Sequence, residues 1–264
     1  MGTLILAVTA LFLYSVGTAL QALHFRGRVE SNLALTTLIG VLALVPHGLL
    51  IAQTVHLDGG FDLSFFKSAV LTSWLIVFLL LGLNLTKPVG SLFLAGYPIA
   101  ILAIIAALAN HIPSRVVSEQ SYGMLSHVAL SITAYSLFTL AAIQAVLLQL
   151  LNRQLKHHHN SILVRNLPPL QTMESVLFEM VWAGVVLLVL AIVTGAIFIE
   201  DLFAQDLAHK TLFSLLSLLV FVALLVGRYT RGWRGVTASH WTLAGCALLM
   251  IAFYGSKFVL ELVF

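Results

Sequence analysis

His47, His127 and His209 are the residues of this chain best placed to do chemistry. Each lies in or beside a long apolar run. His47 follows Pro46 inside one run, His127 falls early in another, and His209 opens a third just after the acidic stretch 200–206. A neutral imidazole is a good axial ligand for haem iron, and its surroundings tune potential and access. Two axial ligands can come from different helices, so no short spacing between them is required. An ionisable group inside an apolar run is costly unless it is used or satisfied. The residues alone leave a plainer alternative open. A histidine at a helix end can hydrogen-bond locally or sit among lipid headgroups, and His47 can bridge two helices.

Other chemistry is less well supplied. His127, Ser131 and Tyr135 recur every four residues and Phe138 follows three later, so they share one helical face. Inside a membrane such a stripe faces protein, a cavity or a cofactor rather than lipid. His157, His158 and His159 are adjacent. They can hold a transition metal weakly or serve as part of a solvated basic loop. Glu174 and Glu179 fall near the start of a predicted helix, where acidic side chains complement the dipole. Glu179 reaches the headgroup zone and is a candidate functional acid. Cys246 is the single cysteine, so an intrachain disulfide, a CxxC redox pair and covalent haem attachment through CxxCH are all excluded. There is no HExxH sequence and no paired acid–base constellation. Nothing here requires a bond-breaking reaction, so an enzyme is not expected.

The elements that position these residues follow from composition. Hydrophobic residues make up 60% of the chain and charged residues 9%. A soluble domain of this length needs far more polar surface. Because about 20 apolar residues cross the hydrocarbon core as a helix, the sequence predicts spans at 3–24, 33–54, 64–85, 90–109, 124–150, 175–199, 209–227 and 239–261. The fold class is all-α, a polytopic bundle of eight transmembrane helices within a single membrane domain, 1–264. The turn-like Asp58-Gly59-Gly60 precedes the third span, and Gly96, Tyr97 and Pro98 are expected to kink the fourth. The fifth and sixth look longer than a bilayer requires. The first lacks a basic leader, which points to a retained helix rather than a signal peptide.

Loop charge orients the bundle. Arg26, Arg28, Lys87, Arg153, Lys156, Arg165, Arg228, Arg231 and Arg234 fall on one side, and Lys67, Arg115, Lys210 and Lys257 on the other. The side with nine of the thirteen basic residues is expected to be cytoplasmic. Both termini then face the extracytoplasmic side, as do His47, His56, His127 and His209. The formal charge of +3 is explained by this topology, and a nucleic-acid partner is not implied.

The run Gly227-Arg228-Tyr229-Thr230-Arg231-Gly232-Trp233-Arg234-Gly235-Val236-Thr237-Ala238 precedes the last span. It resembles a loop of the cytochrome c assembly family, haem-handling membrane proteins of the CcsA, CcmC and HemX kind. Phe253-Tyr254-Gly255-Ser256-Lys257-Phe258 resembles that family's last helix. His127 through Tyr135 and Phe138, and His209-Lys210-Thr211, resemble the two segments with outward-facing histidines. The resemblance covers roughly residues 65–262 and is nearest to the short HemX-like branch. It implies a multi-pass protein of a bacterial inner membrane that binds or transports non-covalent, b-type haem. It also implies a place near cytochrome assembly, with cytochrome assembly or respiratory proteins and membrane lipid as partners. His127 and His209 become the outer axial pair on the iron, and His47 a candidate ligand of a separate site within the bilayer. Arg228, Arg231 and Arg234 become contacts for haem propionates or lipid phosphates.

The chain departs from the family in one loop. Full haem-delivery members carry a tryptophan-rich outer loop with a Trp-Asp core. Here 195–206 contains no tryptophan. Phe198 and Phe203 give a porphyrin less flat surface, and Glu200, Asp201 and Asp206 do not suit its propionates. That departure keeps a second function in view, a non-haem membrane adaptor for a respiratory or haem-biosynthetic partner. A small-solute transporter is a third, without a repeat to support it.

Overall fold

The computed structural model describes residues 2–29, 32–57, 60–110, 116–118, 121–156, 166–198 and 205–255. Among them, eight helices are long and apolar enough to cross a membrane. They are α1 (Gly2–Phe25), α2 (Leu33–Thr54), α3 (Phe65–Asn84), α4 (Phe93–Ala109), α5 (Tyr122–Lys156), α6 (Leu170–Phe198), α7 (Gln205–Arg231) and α8 (Gly235–Met250). A 3₁₀ turn, Gly90–Leu92, leads into α4, and a π-helical turn, Ile251–Gly255, extends α8. Helices are the solution lipid imposes, because each satisfies its own backbone polar groups. Large apolar side chains such as Ile5, Phe12, Leu102 and Leu219 point outward, as they do where lipid replaces water. The protein is thus a multi-pass membrane protein whose spans are all helical. Each expected span overlaps one of these helices, the part of the last beyond 255 lying outside the described residues, and the fifth and sixth are the long ones, at 35 and 29 residues.

The helices fall into two compact units, Met1–Glu119 with Asn160–Leu167, and Gln120–His159 with Pro168–Phe264. In the first unit α1 packs on α2 and α4, and α3 packs on α2 and α4. Pro46 cannot donate to the ladder of α2. The indole Nε1 of Trp74 on α3 donates to the nearby Leu44 carbonyl at 3.0 Å. Tyr97, next to Pro98, is fully buried and donates its hydroxyl to the Thr36 carbonyl at 2.8 Å.

A small antiparallel sheet also belongs to this unit: β1 (His56–Leu57), β2 (Gly60–Asp62) and β3 (Val116–Ser118), in the order β1-β2-β3. Strands of two and three residues are too short to show a period, so the sequence reading contained only a turn there. Asp62, fully buried, pairs with Lys67 at 2.6 Å and accepts from the Ser64 amide at 3.0 Å.

In the second unit α5 and α6 form the most extensive pairing, and α8 packs on both α5 and α7. His127 of α5 meets Ala191 of α6, and Gln144 meets Met173, which makes the pair antiparallel. At the centre the Phe138 and Phe221 rings stack 3.9 Å apart, within 9° of parallel. Glycines cradle both rings. A Cβ on Gly184 would come within 2.7 Å of Phe138, and one on Gly245 within 2.7 Å of Phe221. Ser217 donates to the Gly245 carbonyl at 2.8 Å, and the Cys246 thiol reaches the Phe138 carbonyl at 3.1 Å. Cys246 is a buried packing residue.

Candidate functional site

His127 stands one turn into α5, half-buried against α6. Its Nδ1 lies 2.7 Å from the Ala191 carbonyl oxygen. A carbonyl only accepts, so Nδ1 carries the proton and donates. The tautomer is thereby set, and Nε2 is left with the lone pair that could meet a metal. The approach depends on Gly195, one turn beyond Ala191. A Cβ there would lie 2.9 Å from His127 Cε1 and 3.0 Å from Nδ1. Sequence reasoning had identified the histidine but not Ala191 or Gly195. The one available signal was a glycine in an otherwise bulky apolar run.

The rest of the stripe faces protein, one of the outcomes its period allowed. Tyr135 packs between Phe253 and Tyr254 of the π-helical turn, with ring centroids 5.6 and 5.2 Å away. Phe138 is the partner of Phe221 described above. His209 is exposed, in the second turn of α7. α5 and α7 both run from the same end of this unit: α5 is antiparallel to α6, and α7 meets α6 at Phe178 through Arg228 and, farther along α6 near Gly184, through the earlier Phe221 stacked on Phe138. Counting back from the stacked rings, His127 is 11 residues up α5 and His209 is 12 residues up α7. Along the helix axes these spacings are roughly 17 and 18 Å. No direct contact joins the two imidazoles among the described residues. Nor is there a group of three or more His, Cys, Asp or Glu side chains fit for a metal ion. A two-imidazole site needs no such group.

The basic residues gather at the opposite end of the same unit. Arg228 lies over the Phe178 ring, 4.5 Å from its centroid, and donates to the Trp233 carbonyl at 3.4 Å. Arg231 lies 5.9 Å from the Trp233 ring, and Trp233 stacks on Trp241. Arg234, exposed and extended, precedes α8. Gly235 follows with a left-handed φ of 57°, a conformation other residues adopt at a cost. Its amide donates to the buried carboxylate of Glu174 on α6. Glu174 therefore caps the start of α8, whereas its sequence position had tied it to the dipole of its own helix. His209 and Arg228 are 19 residues apart on one helix, about 28 Å. The arginines cannot hold the propionates of a porphyrin ligated by His209.

His47 is fully buried in the first unit. Its Nδ1 lies 3.1 Å from the Tyr14 hydroxyl, and Tyr14 packs against Tyr97 at 5.3 Å. Nε2 is buried without a well-formed hydrogen bond, although the Val70 main chain lies within electrostatic reach. The helix-bridging role left open for His47 is thus partly filled by Tyr14 on α1. His157, His158 and His159 and the acidic positions Glu200 and Asp201 lie outside the described residues, as do the side chains of His56 and Asp206.

The sequence profile described as Cytochrome C assembly protein matches residues 35–264. The chain belongs to the cytochrome c assembly protein family. The match begins well before residue 65, where the resemblance read from motifs alone began. Inner membrane protein YpjD of Escherichia coli strain K12 is 32% identical over 98% of this chain and 99% of its own length. Protein HemX of Brevibacillus brevis is 28% identical over 93% of this chain and 92% of its own. No solved structure matches the chain. Within this family member, His127 and His209 sit toward one end of the second unit and the Gly-Trp-Arg-Gly turn at the other.

Proposed function

We propose that the protein binds haem non-covalently through His127 and His209 and handles it for cytochrome assembly at a bacterial inner membrane. The observation that carries this reading is the hydrogen bond from His127 Nδ1 to the Ala191 carbonyl. It fixes one imidazole with the lone pair on Nε2, the arrangement common in metal-bound histidines. His209 opens α7 from the same end and is accessible. The donor set fits a b-type haem, which needs two neutral nitrogens and no cysteine. When bound, haem would supply the redox-active iron. The Ala191 carbonyl orients His127, and α6 packs against that ring. Family membership and the relatives named YpjD and HemX support the setting. An extracytoplasmic position for this end rests on the charge asymmetry of the loops. His47 is proposed as a distinct ligand position within the bilayer, since its Nε2 is buried and poorly satisfied.

The test is absorption spectroscopy of detergent-purified protein with haem quantified per chain. A Soret band is expected in the wild type. It should weaken in His127→Ala and His209→Ala and be lost in the double variant. A normal spectrum and full occupancy in the double variant would remove the pair. The tryptophan-free stretch 195–206 favours the adaptor as a second reading. A wild type that takes up no haem despite ample supply, yet still binds a respiratory or haem-biosynthetic partner, would establish it.

A further inference from the structure

We infer that the second unit carries a phospholipid headgroup site, between α6 and α7 at the end away from His127, selective for a phosphate paired with a primary ammonium. A groove of about 570 Å³ lies there, lined by Ser175, Phe178, Glu179, Trp182, Arg228 and Tyr229. Its depth fits. In the sequence 20 uncharged residues separate Glu179 from Glu200, and 17 separate Lys210 from Arg228. As helix these are about 30 and 26 Å, close to the thickness of the hydrocarbon core. Glu179 and Arg228 therefore stand at one membrane surface, beside each other in one groove.

The polar groups are arranged as donors and an acceptor. Trp182 Nε1 donates to the Tyr229 hydroxyl oxygen at 3.1 Å, which leaves the tyrosine hydrogen to be given elsewhere. Arg228 spends one donor on the Trp233 carbonyl and keeps its guanidinium over Phe178. Guanidinium and phenol together suit a phosphate. The Glu179 carboxylate beside them suits an ammonium that can donate hydrogen bonds. Trp182 and Tyr229 are 44% and 73% exposed, amphipathic rings placed as rings are at a headgroup boundary. Phosphatidylethanolamine carries both charges and the N–H donors. Phosphatidylcholine lacks those donors, and phosphatidylglycerol lacks the cation. A porphyrin would bring two propionates to one arginine and one carboxylate, so the groove does not favour haem.

Native mass spectrometry of the full chain, released from detergent with equimolar phosphatidylethanolamine, phosphatidylglycerol and phosphatidylcholine, tests this. The wild type should retain one phosphatidylethanolamine in preference to the others. Arg228→Gln should reduce that retention roughly tenfold, since a charge-assisted bond is lost. Glu179→Gln, an exposed change that leaves the arginine in place, should shift the preference toward phosphatidylglycerol. The His127→Ala/His209→Ala double variant should retain phosphatidylethanolamine like the wild type, so this site stands or falls apart from the haem reading. Equal retention of all three lipids, unchanged selectivity in Glu179→Gln, or hemin displacing the lipid one for one would each overturn the inference.

Discussion

Gly195→Ala is the sharpest probe of the histidine site. The new Cβ would sit 2.9 Å from His127 Cε1 and 3.0 Å from Nδ1, whereas ordinary contact begins near 3.4 Å. The ring must retreat from α6 by about half an ångström, which is the direction that lengthens the 2.7 Å bond to the Ala191 carbonyl. A weakened bond of this kind costs about 1 kcal/mol, and loss of an orienting partner typically lowers metal affinity by 10- to 100-fold. Haem affinity should therefore fall about tenfold in Gly195→Ala and further in Gly195→Val. The assay is titration of haem into apo-protein in detergent, followed at the Soret band, with thermal unfolding alongside. Alanine is a better helix former than glycine by up to about 1 kcal/mol. The melting temperature should thus hold or rise while haem affinity drops, a combination that simple misfolding does not produce. Haem affinity within twofold of wild type in Gly195→Ala, when His127→Ala weakens binding clearly, would refute the orienting role of the Ala191 carbonyl.

Substitutions at three further positions test the supporting structure. Glu174→Gln keeps an acceptor for the Gly235 amide but removes the charge at the start of α8, and should cost about 1 kcal/mol by thermal unfolding in detergent. Glu174→Ala should cost more, and equal melting of all three proteins would dismiss the cap. Tyr14→Phe removes the hydrogen bond to Nδ1 of the buried His47 and should destabilise by about 1–3 kcal/mol; no change in unfolding would show that the ring finds another partner. Lys67→Met removes the ion pair to the buried Asp62 carboxylate and should cost about 1–3 kcal/mol, checked by the same melts and overturned by an unchanged midpoint.

The spans were legible because hydrocarbon thickness acts directly on sequence. A stretch such as 33–54 has to be apolar for its full length, and the structure begins and ends α2 at those residues. Partners were not legible. The Ala191 carbonyl lies 64 positions from His127, and a backbone group leaves no trace in residue type. Glu174 shows the same limit. Its place near a helix start was plain, but the helix it caps begins 61 residues later. The Phe138–Phe221 stack was half visible, since the stripe on α5 implied something opposite without naming it. The pairing of β2 with β3, Gly60 opposite Ser118, joins residues 58 positions apart through segments too short to carry a pattern. Charge asymmetry separated the histidines from the arginines before any coordinates, and the two ends of the second unit keep that division.

The length of α5 has a practical consequence. Its 35 residues extend about 52 Å, against a hydrocarbon core of about 30 Å. Tilt alone would have to reach about 55° to hide the excess, beyond the 0–40° seen for membrane helices. The last turns, with Arg153 and Lys156, must stand clear of the lipid as a rigid post. A fusion partner continued in helical register from that post would move with the bundle, giving electron microscopy an alignment mark on a protein otherwise swallowed by its micelle.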